Sequence, residues 1–424
     1  MRILLLNQAF HPDVVATAQY ASDLVAALTM AGHEVTVIAG RRAYDDPQTR
    51  FPAESSWQGA RVIRVANTGL GKKGAWHRAA DFATFIVSCA FRLLTLPRFD
   101  VVVALTSPPL IAFLAALFVR LKGGKLVYWI MDLNPDEAIA AGWLNRDSTL
   151  AFVLELMQWF CLETSDSIVV LDAFMRDRIL REGLPETKIS VLPPWTLDSN
   201  IRYDHAARAE FRRLHGLENK FVVMYSGNHS PCHPLDTLLE AARRLSSSPD
   251  IAFCFIGGGS GFQKVRDFVA EHSLPNVLCL PYEPLERVAG SLSSADLHVV
   301  AMGDPFVGIV HPCKIYNILA LGVPFLYIGP AQSHISQLTV GQGVETAAYS
   351  IAHGNIEGAV GAIVNASRRQ LGPSPARARS ASCFSQAALL PRFTHVIESA
   401  AAARDLPSRS GRLPVPSASS DTAS

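Results

Sequence analysis

The chain has 424 residues, which at about 150 residues per domain corresponds to two or three domains. Hydrophobic residues make up 49% and charged residues 18%, which excludes an intrinsically disordered chain and, at a mean hydropathy of +0.20, raises the question of a membrane. Thirty-eight basic against 37 acidic side chains leave a net charge of +1, so overall charge points to no nucleic-acid partner.

In chain order, Arg2–Leu6 reads as a buried strand. Gln19–Met30 has amphipathic spacing and stops at Ala31-Gly32-His33, with glycine as its cap. Strands are expected at Glu34–Ala39, Arg61–Val65, Val101–Leu105, Lys125–Ile130 and Ser167–Val170. The pattern pauses at Leu192-Pro-Pro-Trp-Thr196. It restarts with strand Phe221–Tyr225, helix Leu235–Leu245, strand Ile251–Ile256, helix Gly261–His272, strand Val277–Leu280, helix Leu285–Leu292 and strand Leu297–Val300. Short apolar strands joined by helices imply parallel sheets covered on both faces. The fold class is therefore α/β, with two Rossmann-like doubly wound domains facing a cleft.

The charge is unevenly placed. Arg41–Lys125 holds 13 basic and 5 acidic residues, whereas the stretch from Leu126 to Asn200 holds 12 acidic residues that outnumber its basic ones. Seven scattered cysteines (Cys89, Cys161, Cys232, Cys254, Cys279, Cys313 and Cys383) form no Cys-x-x-Cys. This fits a reduced cytoplasmic protein rather than a disulfide or structural zinc framework. The apolar N-terminus turns polar too soon for a signal peptide. Two uncharged runs could pass for membrane spans, Val101–Val119 and Ile315–Val344. The first is cut by Thr106-Ser-Pro-Pro109 and the second by Gly322, Pro324, Gly329 and Pro330. A cytoplasmic, soluble or peripheral protein is expected.

Met224-Tyr-Ser-Gly-Asn-His-Ser230 closes the second domain's first strand. Gly227 permits a sharp turn, and the amides beyond it, at Asn228 and His229, either cradle a diphosphate or simply turn strand into helix. Phe255-Ile-Gly-Gly-Gly-Ser260, with Gly257 and Gly258, is a second such loop and lacks the ATP-binding P-loop pattern. Two loops of this kind at the carboxyl edge of one sheet point to a ligand there. In His311–Pro324, Pro312 leads a turn into a helix with Lys314 in its first turn. A lysine there costs a few tenths to about 1 kcal/mol against the helix dipole, a cost that a bound anion offsets; a merely solvated lysine is the alternative. Asp132, Asp136 and Glu137 form a carboxylate cluster that either orients sugar or acceptor hydroxyls or caps the following helix. His229 and His233 are four residues apart, but Pro231 intervenes and no acidic ligand follows, so no zinc site is expected.

In this order and over residues 1 to about 400, the chain resembles the retaining nucleotide-sugar glycosyltransferases of the GT-B fold, family 4. The likeness rests on Phe10-His-Pro12, Ala31-Gly-His-Glu-Val-Thr-Val37, Asp132-Leu-x-Pro135, Ser226-Gly-Asn228, Leu235-Asp-x-Leu-Leu-x-Ala241, Ile256-Gly-x-Gly258, Ala295-Asp296 and Leu319-Ala-x-Gly-x-Pro324. The run from Pro312 to Gly322 is similar to the subgroup acting in cell-surface polysaccharide assembly. The resemblance implies an acceptor-side domain over residues 1–195 and a nucleotide-sugar domain over 196–380. A helix within 381–405 would pack back on the first domain, ahead of a disordered tail at 406–424. It further implies a hexosyl or N-acetylhexosaminyl transfer with retained configuration, from a UDP-linked donor to a lipid-linked or polysaccharide-precursor acceptor, with no metal or other cofactor.

The family's usual glutamate pair is replaced, its positions falling on Ile309 and Asn317, and its usual lysine is His233. Lys314, with His233 or His229, is expected to stand in for the missing cation, and Tyr316 and Asn317 to contact ribose or sugar. The catalytic candidates are thus Asp132, Lys314 and His233. The substrate-binding candidates are Gly227, Asn228, His229, Gly257, Gly258, Pro312, Tyr316, Asn317 and Asp136. A UDP-sugar 2-epimerase and a catalytically degenerate partner subunit are the competing readings.

Gly71-Lys-Lys-Gly-Ala-Trp-His-Arg78 leads into the apolar stretch Phe82–Leu94, followed by Arg98. The Lys72–Arg92 region would then contact the membrane surface, each lysine adding about 1 kcal/mol on anionic lipid; a helix packed inside the domain is the alternative.

Overall fold

The computed structural model describes residues 1–44, 46, 48–69, 75–196, 201–339 and 347–403. Lys72, Lys73 and the tail at 406–424 lie outside the described residues.

The first half of the chain runs β1 (Arg2–Leu6), α1 (Ala16–Met30), β2 (Glu34–Gly40), β3 (Glu54–Trp57), β4 (Ala60–Val65), α2 (Ala75–Thr95), β5 (Val101–Ala104), α3 (Ile111–Lys122) and β6 (Lys125–Trp129). It continues with α4 (Asp136–Ala140), α5 (Thr149–Thr164), β7 (Ser167–Val170), α6 (Ala173–Leu180) and β8 (Ile189–Val191). The strands form one sheet in the order β3-β4-β2-β1-β5-β6-β7-β8, parallel except for β3, which pairs antiparallel with β4. Continuous apolar runs such as Ile3–Leu6 lie at the centre and are wholly buried, as a sheet covered on both faces requires. Edge strand β3 was not expected, because Glu54-Ser-Ser-Trp57 is polar and partly exposed and carries no buried-strand signal.

The second half begins with α7 (His205–Leu214), β9 (Phe221–Asn228), α8 (Asp236–Arg244), β10 (Ile251–Gly258), α9 (Phe262–Glu271), β11 (Val277–Leu280), α10 (Leu285–Ser293) and β12 (Leu297–Ala301). There follow α11 (Lys314–Leu321), β13 (Phe325–Ile328), α12 (His334–Thr339), β14 (Ala348–Ile351), α13 (Ile356–Arg369), α14 (Pro375–Ser380) and α15 (Gln386–Ala402). Its sheet has the order β11-β10-β9-β12-β13-β14 and is parallel throughout. In each sheet the chain winds outward on one side, then crosses to the other, reversing between β1 and β5 and between β9 and β12. Ligands collect at the carboxyl ends of strands at such reversals. Asp296, of the Ala295-Asp296 motif, fastens α7 to this sheet. Its carboxylate accepts from Arg208 at 2.6 Å, from Arg212 and from the amide of Val222 at 2.8 Å.

The two halves share packing. One apolar cluster joins Leu4, Val102, Leu126 and Ile168 of the first sheet to Val300, Met302, Phe306, Ile309 and Ile315 of the second half. Helix α15 returns to the first sheet, burying Leu389, Phe393 and Ile397 against Tyr20, Leu24 and Trp129. Gln386 and Trp195 both donate to Asp23, and His33 meets Glu398 at 3.1 Å. Among the described residues no helix is long and apolar enough to cross a membrane, because the two uncharged runs break into β5 with α3 and into α11, β13 and α12.

Candidate active site

Strands β9 and β10 stay in register to their last residues, placing Gly227 beside Gly257 and Asn228 beside Gly258. Gly257 has φ +136, and a Cβ there would stand 2.1 Å from the carbonyl oxygen of Gly227, so only glycine allows the two strand ends to lie this close. The loops are then stitched together. His229 donates its amide to the Gly258 carbonyl at 2.7 Å, Gly261 donates to the His229 carbonyl at 2.9 Å, and the Tyr225 hydroxyl donates to the Asn228 carbonyl at 2.7 Å.

Lys314 reaches into this cradle from the first turn of α11, whose entry is set by the buried Pro312. Its ammonium lies 3.6 Å from the centroid of the Tyr225 ring and 3.2 Å from where a Gly227 Cβ would stand. The Nζ atom is buried and has no hydrogen-bond partner among the described residues. Burial pushes its pKa down to about 7. The Tyr225 ring offsets part of that cost, by about 2 kcal/mol for a desolvated cation on an aromatic face. Asn317 is half-buried, three residues further along α11.

The sequence offered His229 or His233 as a second cation; the structure makes both neutral. Burial first, then the Lys314 charge, drives His229 down to about 4 and His233 to about 3. His229 Nδ1 faces the Gly227 carbonyl at 3.0 Å and His233 Nδ1 the Ala301 carbonyl at 2.8 Å. A carbonyl only accepts, so each Nδ1 carries the proton. The buried Nε2 of His229 is left as an acceptor with no hydrogen-bond partner among the described residues.

From the first half, the β6 end delivers Asp132 and Glu137. Both are half-buried. Burial, reinforced by Glu137, raises Asp132 well above the usual carboxylate range; burial also raises Glu137, against the opposing pull of Asn134, Cys232 and Arg78. Burial thus disfavours ionising both carboxyls at once. They face the second half: the Cys232 thiol is 3.9 Å from Glu137, and Cys313, immediately before Lys314, is pushed up to about 12 by burial and by Asp132. Asp136 does not join them. It accepts from Arg178 at 2.7 and 3.2 Å and ties α4 to α6.

Tyr316, expected at a ribose or sugar, is instead buried and committed to His311 at 2.7 Å. The other nitrogen of His311 meets Asp172, which follows β7, at 2.7 Å. Burial alone would raise Asp172, but the hydrogen bond and charge of His311 hold it at about 2. His334 stacks on His311 with centroids 3.9 Å apart and planes 18° apart. These three side chains are of metal-ligating type, their ligand atoms lying within 4.8 Å of one another. His311 is hydrogen-bonded to Asp172, whereas His334 joins the group by stacking and by a 3.5 Å approach of its Nδ1 to the same carboxylate oxygen. Asp172 was missed because it reads as an ordinary cap, which it also is, accepting from the Met175 amide at 2.8 Å.

The comparisons with known proteins fit this arrangement. Residues 16–195 match the Glycosyl transferase 4-like domain family. The chain is a GT-B glycosyltransferase with a glycosyl transferase 4-like first domain. It is 24% identical over 353 residues to WcaI of Escherichia coli K12, assigned to colanic acid biosynthesis as a glycosyl transferase; the match covers 80% of this chain and 86% of that one. Sucrose-phosphate synthase of Thermosynechococcus elongatus superposes with a TM-score of 0.72 at 15% identity, covering 94% and 98% of the two chains. HepE of Anabaena, solved with UDP and glucose, superposes with a TM-score of 0.68 at 14% identity, covering 94% and 100%. In this glycosyltransferase the matched domain carries Asp132, Glu137 and Asp172, and the second half carries the glycine loops and, on α11, Lys314.

Proposed function

We propose that this glycosyltransferase moves a sugar from a UDP-linked donor, held by the second domain, to a lipid-linked or polysaccharide-precursor acceptor at the first, with retained configuration. The observation that carries the reading is the buried Lys314 ammonium, without a hydrogen-bond partner among the described residues, inside a cradle of glycine backbone. An anion is the ligand that repays such a charge, and transfer leaves its new negative charge on the departing diphosphate. Lys314 gains its proton as the diphosphate enters and stabilises that charge as the sugar leaves. His229 Nε2 accepts from a donor hydroxyl. Asp132 and Glu137 hold the acceptor hydroxyl. No metal is assigned a role, because Lys314 supplies the positive charge.

HepE in complex with UDP and glucose and WcaI in colanic acid biosynthesis support the choice of donor and of acceptor class. An acceptor carried on lipid also fits α2. It packs Phe85, Cys89 and Leu93 on the sheet and turns Trp76, Phe91 and Leu94 outward, 65%, 68% and 65% exposed. We assign this face, together with the exposed Arg98 and Arg120, to an anionic membrane surface on the cytoplasmic leaflet. Arg92 takes no part, since it pairs with Glu54 at 3.3 Å.

The test is incubation of purified protein with a panel of UDP-sugars and membrane extract, read by mass spectrometry, with the anomeric configuration of any product read by NMR. A lipid-linked glycoside of retained configuration is expected. Isomerised UDP-sugar without acceptor would make the protein an epimerase. Neither turnover nor nucleotide binding would make it a degenerate subunit.

A further inference from the structure

Two adjacent strand ends of the first sheet reach the same loop of the second half. The β6 end brings Asp132 against Cys313, and the β7 end brings Asp172 to His311. The loop between β12 and α11 is itself pressed onto the first half. Leu133 donates its amide to the Ile309 carbonyl at 2.9 Å, and a Cβ on Gly308, whose φ is +69, would stand 2.7 Å from the Phe174 carbonyl at the start of α6.

Within that seam runs a directed chain. The Asp172 carboxylate only accepts, so Nδ1 of His311 carries the hydrogen, while Nε2 of the same ring meets the Tyr316 hydroxyl; both contacts are 2.7 Å. Asp172 is fixed at its other oxygen by the Met175 amide, and His334 stacks on the buried His311 ring. Tyr316 lies two residues beyond Lys314 on α11, about 200° around the helix axis. Clamping Tyr316 on one side of the helix therefore sets the rotation that points Lys314 out of the other side, at Gly227 and Tyr225.

We infer that Asp172, His311 and Tyr316 form a positioning chain through which the first domain sets the aim of Lys314 in the donor cradle. This rests on Lys314 acting as the donor-site cation. None of the three touches substrate; each acts through the lysine. The chain makes the lysine's placement depend on how the two halves are docked, so the acceptor edge at Asp132 and the donor cation are held in register by one seam.

The experiment is a double-mutant cycle on kcat and KM for the UDP-sugar donor identified in the panel above, using His311→Leu, His311→Gln, Tyr316→Phe and Lys314→Met. An amide spaces its donor and acceptor as imidazole does, so His311→Gln keeps both hydrogen bonds and stays within about threefold of wild type. His311→Leu lowers kcat/KM about tenfold or more, since a displacement of about 1 Å can cost 10²-fold, and divides the loss between kcat and KM as Lys314→Met does. Tyr316→Phe, which keeps the packing, shows the same split with a smaller loss. On the Lys314→Met background each of these changes costs less than about twofold, because there is no ammonium left to aim.

Losses that multiply with Lys314→Met overturn the proposal, as does a folded Tyr316→Phe with unchanged kinetics. If His311→Leu does not fold, the Tyr316→Phe and Lys314→Met cycle decides alone. If Lys314→Met itself changes neither nucleotide affinity nor kcat/KM, the donor-site reading fails first. A strong Lys314→Met effect with additive His311→Leu sinks only the positioning chain.

Discussion

The Lys314 ammonium rests 3.6 Å from the centroid of the Tyr225 ring, buried, with the aromatic face as its compensation and no hydrogen-bond acceptor among the described residues. Burying the charge in this way costs the empty fold stability. Removing the charge while keeping the stem should therefore stabilise the protein. Lys314→Met is expected to raise the melting temperature at pH 6 by about 4 °C or more, at roughly 2–4 °C per kcal/mol for a domain of this size. The same variant should weaken UDP binding at least about tenfold by calorimetry. A lower melting temperature would instead make Lys314 a structural residue.

The same burial fixes the pH dependence. With a folded pKa of about 7 against about 10.4 in the unfolded chain, the empty protein binds fewer protons than its unfolded state between those values. Its stability should therefore rise with pH across that window. UDP needs the charged lysine and so should bind more weakly as pH rises above 7, by up to about tenfold per unit. Between pH 7 and 9, above the last titration of a phosphate at about 6, the protein supplies this dependence. Calorimetry in buffers of different ionisation enthalpy should show proton uptake on binding, and Lys314→Met should abolish both effects. A flat affinity in the wild type would exclude Lys314 from the diphosphate.

What could be read in the sequence was whatever depends on local pattern. Buried strands such as Ile251–Gly258 are unbroken apolar runs, and the glycine loops show because close backbone approach demands glycine. Strand β3 and the three-residue β8 were missed because a short, partly exposed edge carries no period. The chemistry at each site was harder, because charge state follows tertiary burial. Nothing local says that His233 is neutral, that Asp136 belongs to Arg178, 42 residues away, or that Tyr316 meets His311 instead of a sugar. Asp172 was invisible for the same reason, since its partner lies 139 residues away across the seam.

Asp132 and Glu137 give a third expectation. Because burial and mutual repulsion raise Asp132, the folded state holds a proton that the unfolded chain has released above about pH 4. The sign is thus a loss of stability as pH rises from about 4 through the folded pKa. Asp132→Asn removes the charge, so thermal melts from pH 4 to 8 should be flatter and higher at pH 8 than for wild type. Transfer should fall by about 10²-fold, the cost of an acceptor hydroxyl misplaced by about 1 Å. A variant that melts lower at pH 8, or that transfers normally, would return Asp132 to a simple loop role.

The outward face of α2 gives the last. Phe91 and Leu94 are exposed one turn apart near its end, while Lys122 caps the same helix by donating to the Leu94 carbonyl at 2.7 Å, holding α3 and its exposed Leu121 alongside. Each such side chain contributes about 1.5–3 kcal/mol when it leaves water, and each nearby arginine about 1 kcal/mol on anionic lipid. Together these amount to reversible docking that weakens with salt. The protein should co-sediment with phosphatidylglycerol-containing vesicles at low salt and be released as salt is raised. Phe91→Glu with Leu94→Glu should stay in the supernatant while melting as wild type, since both positions are exposed and Phe85, Cys89 and Leu93 still anchor the helix. Wild-type protein that ignores anionic vesicles at low salt would remove the membrane from the mechanism and leave α2 as a covering helix.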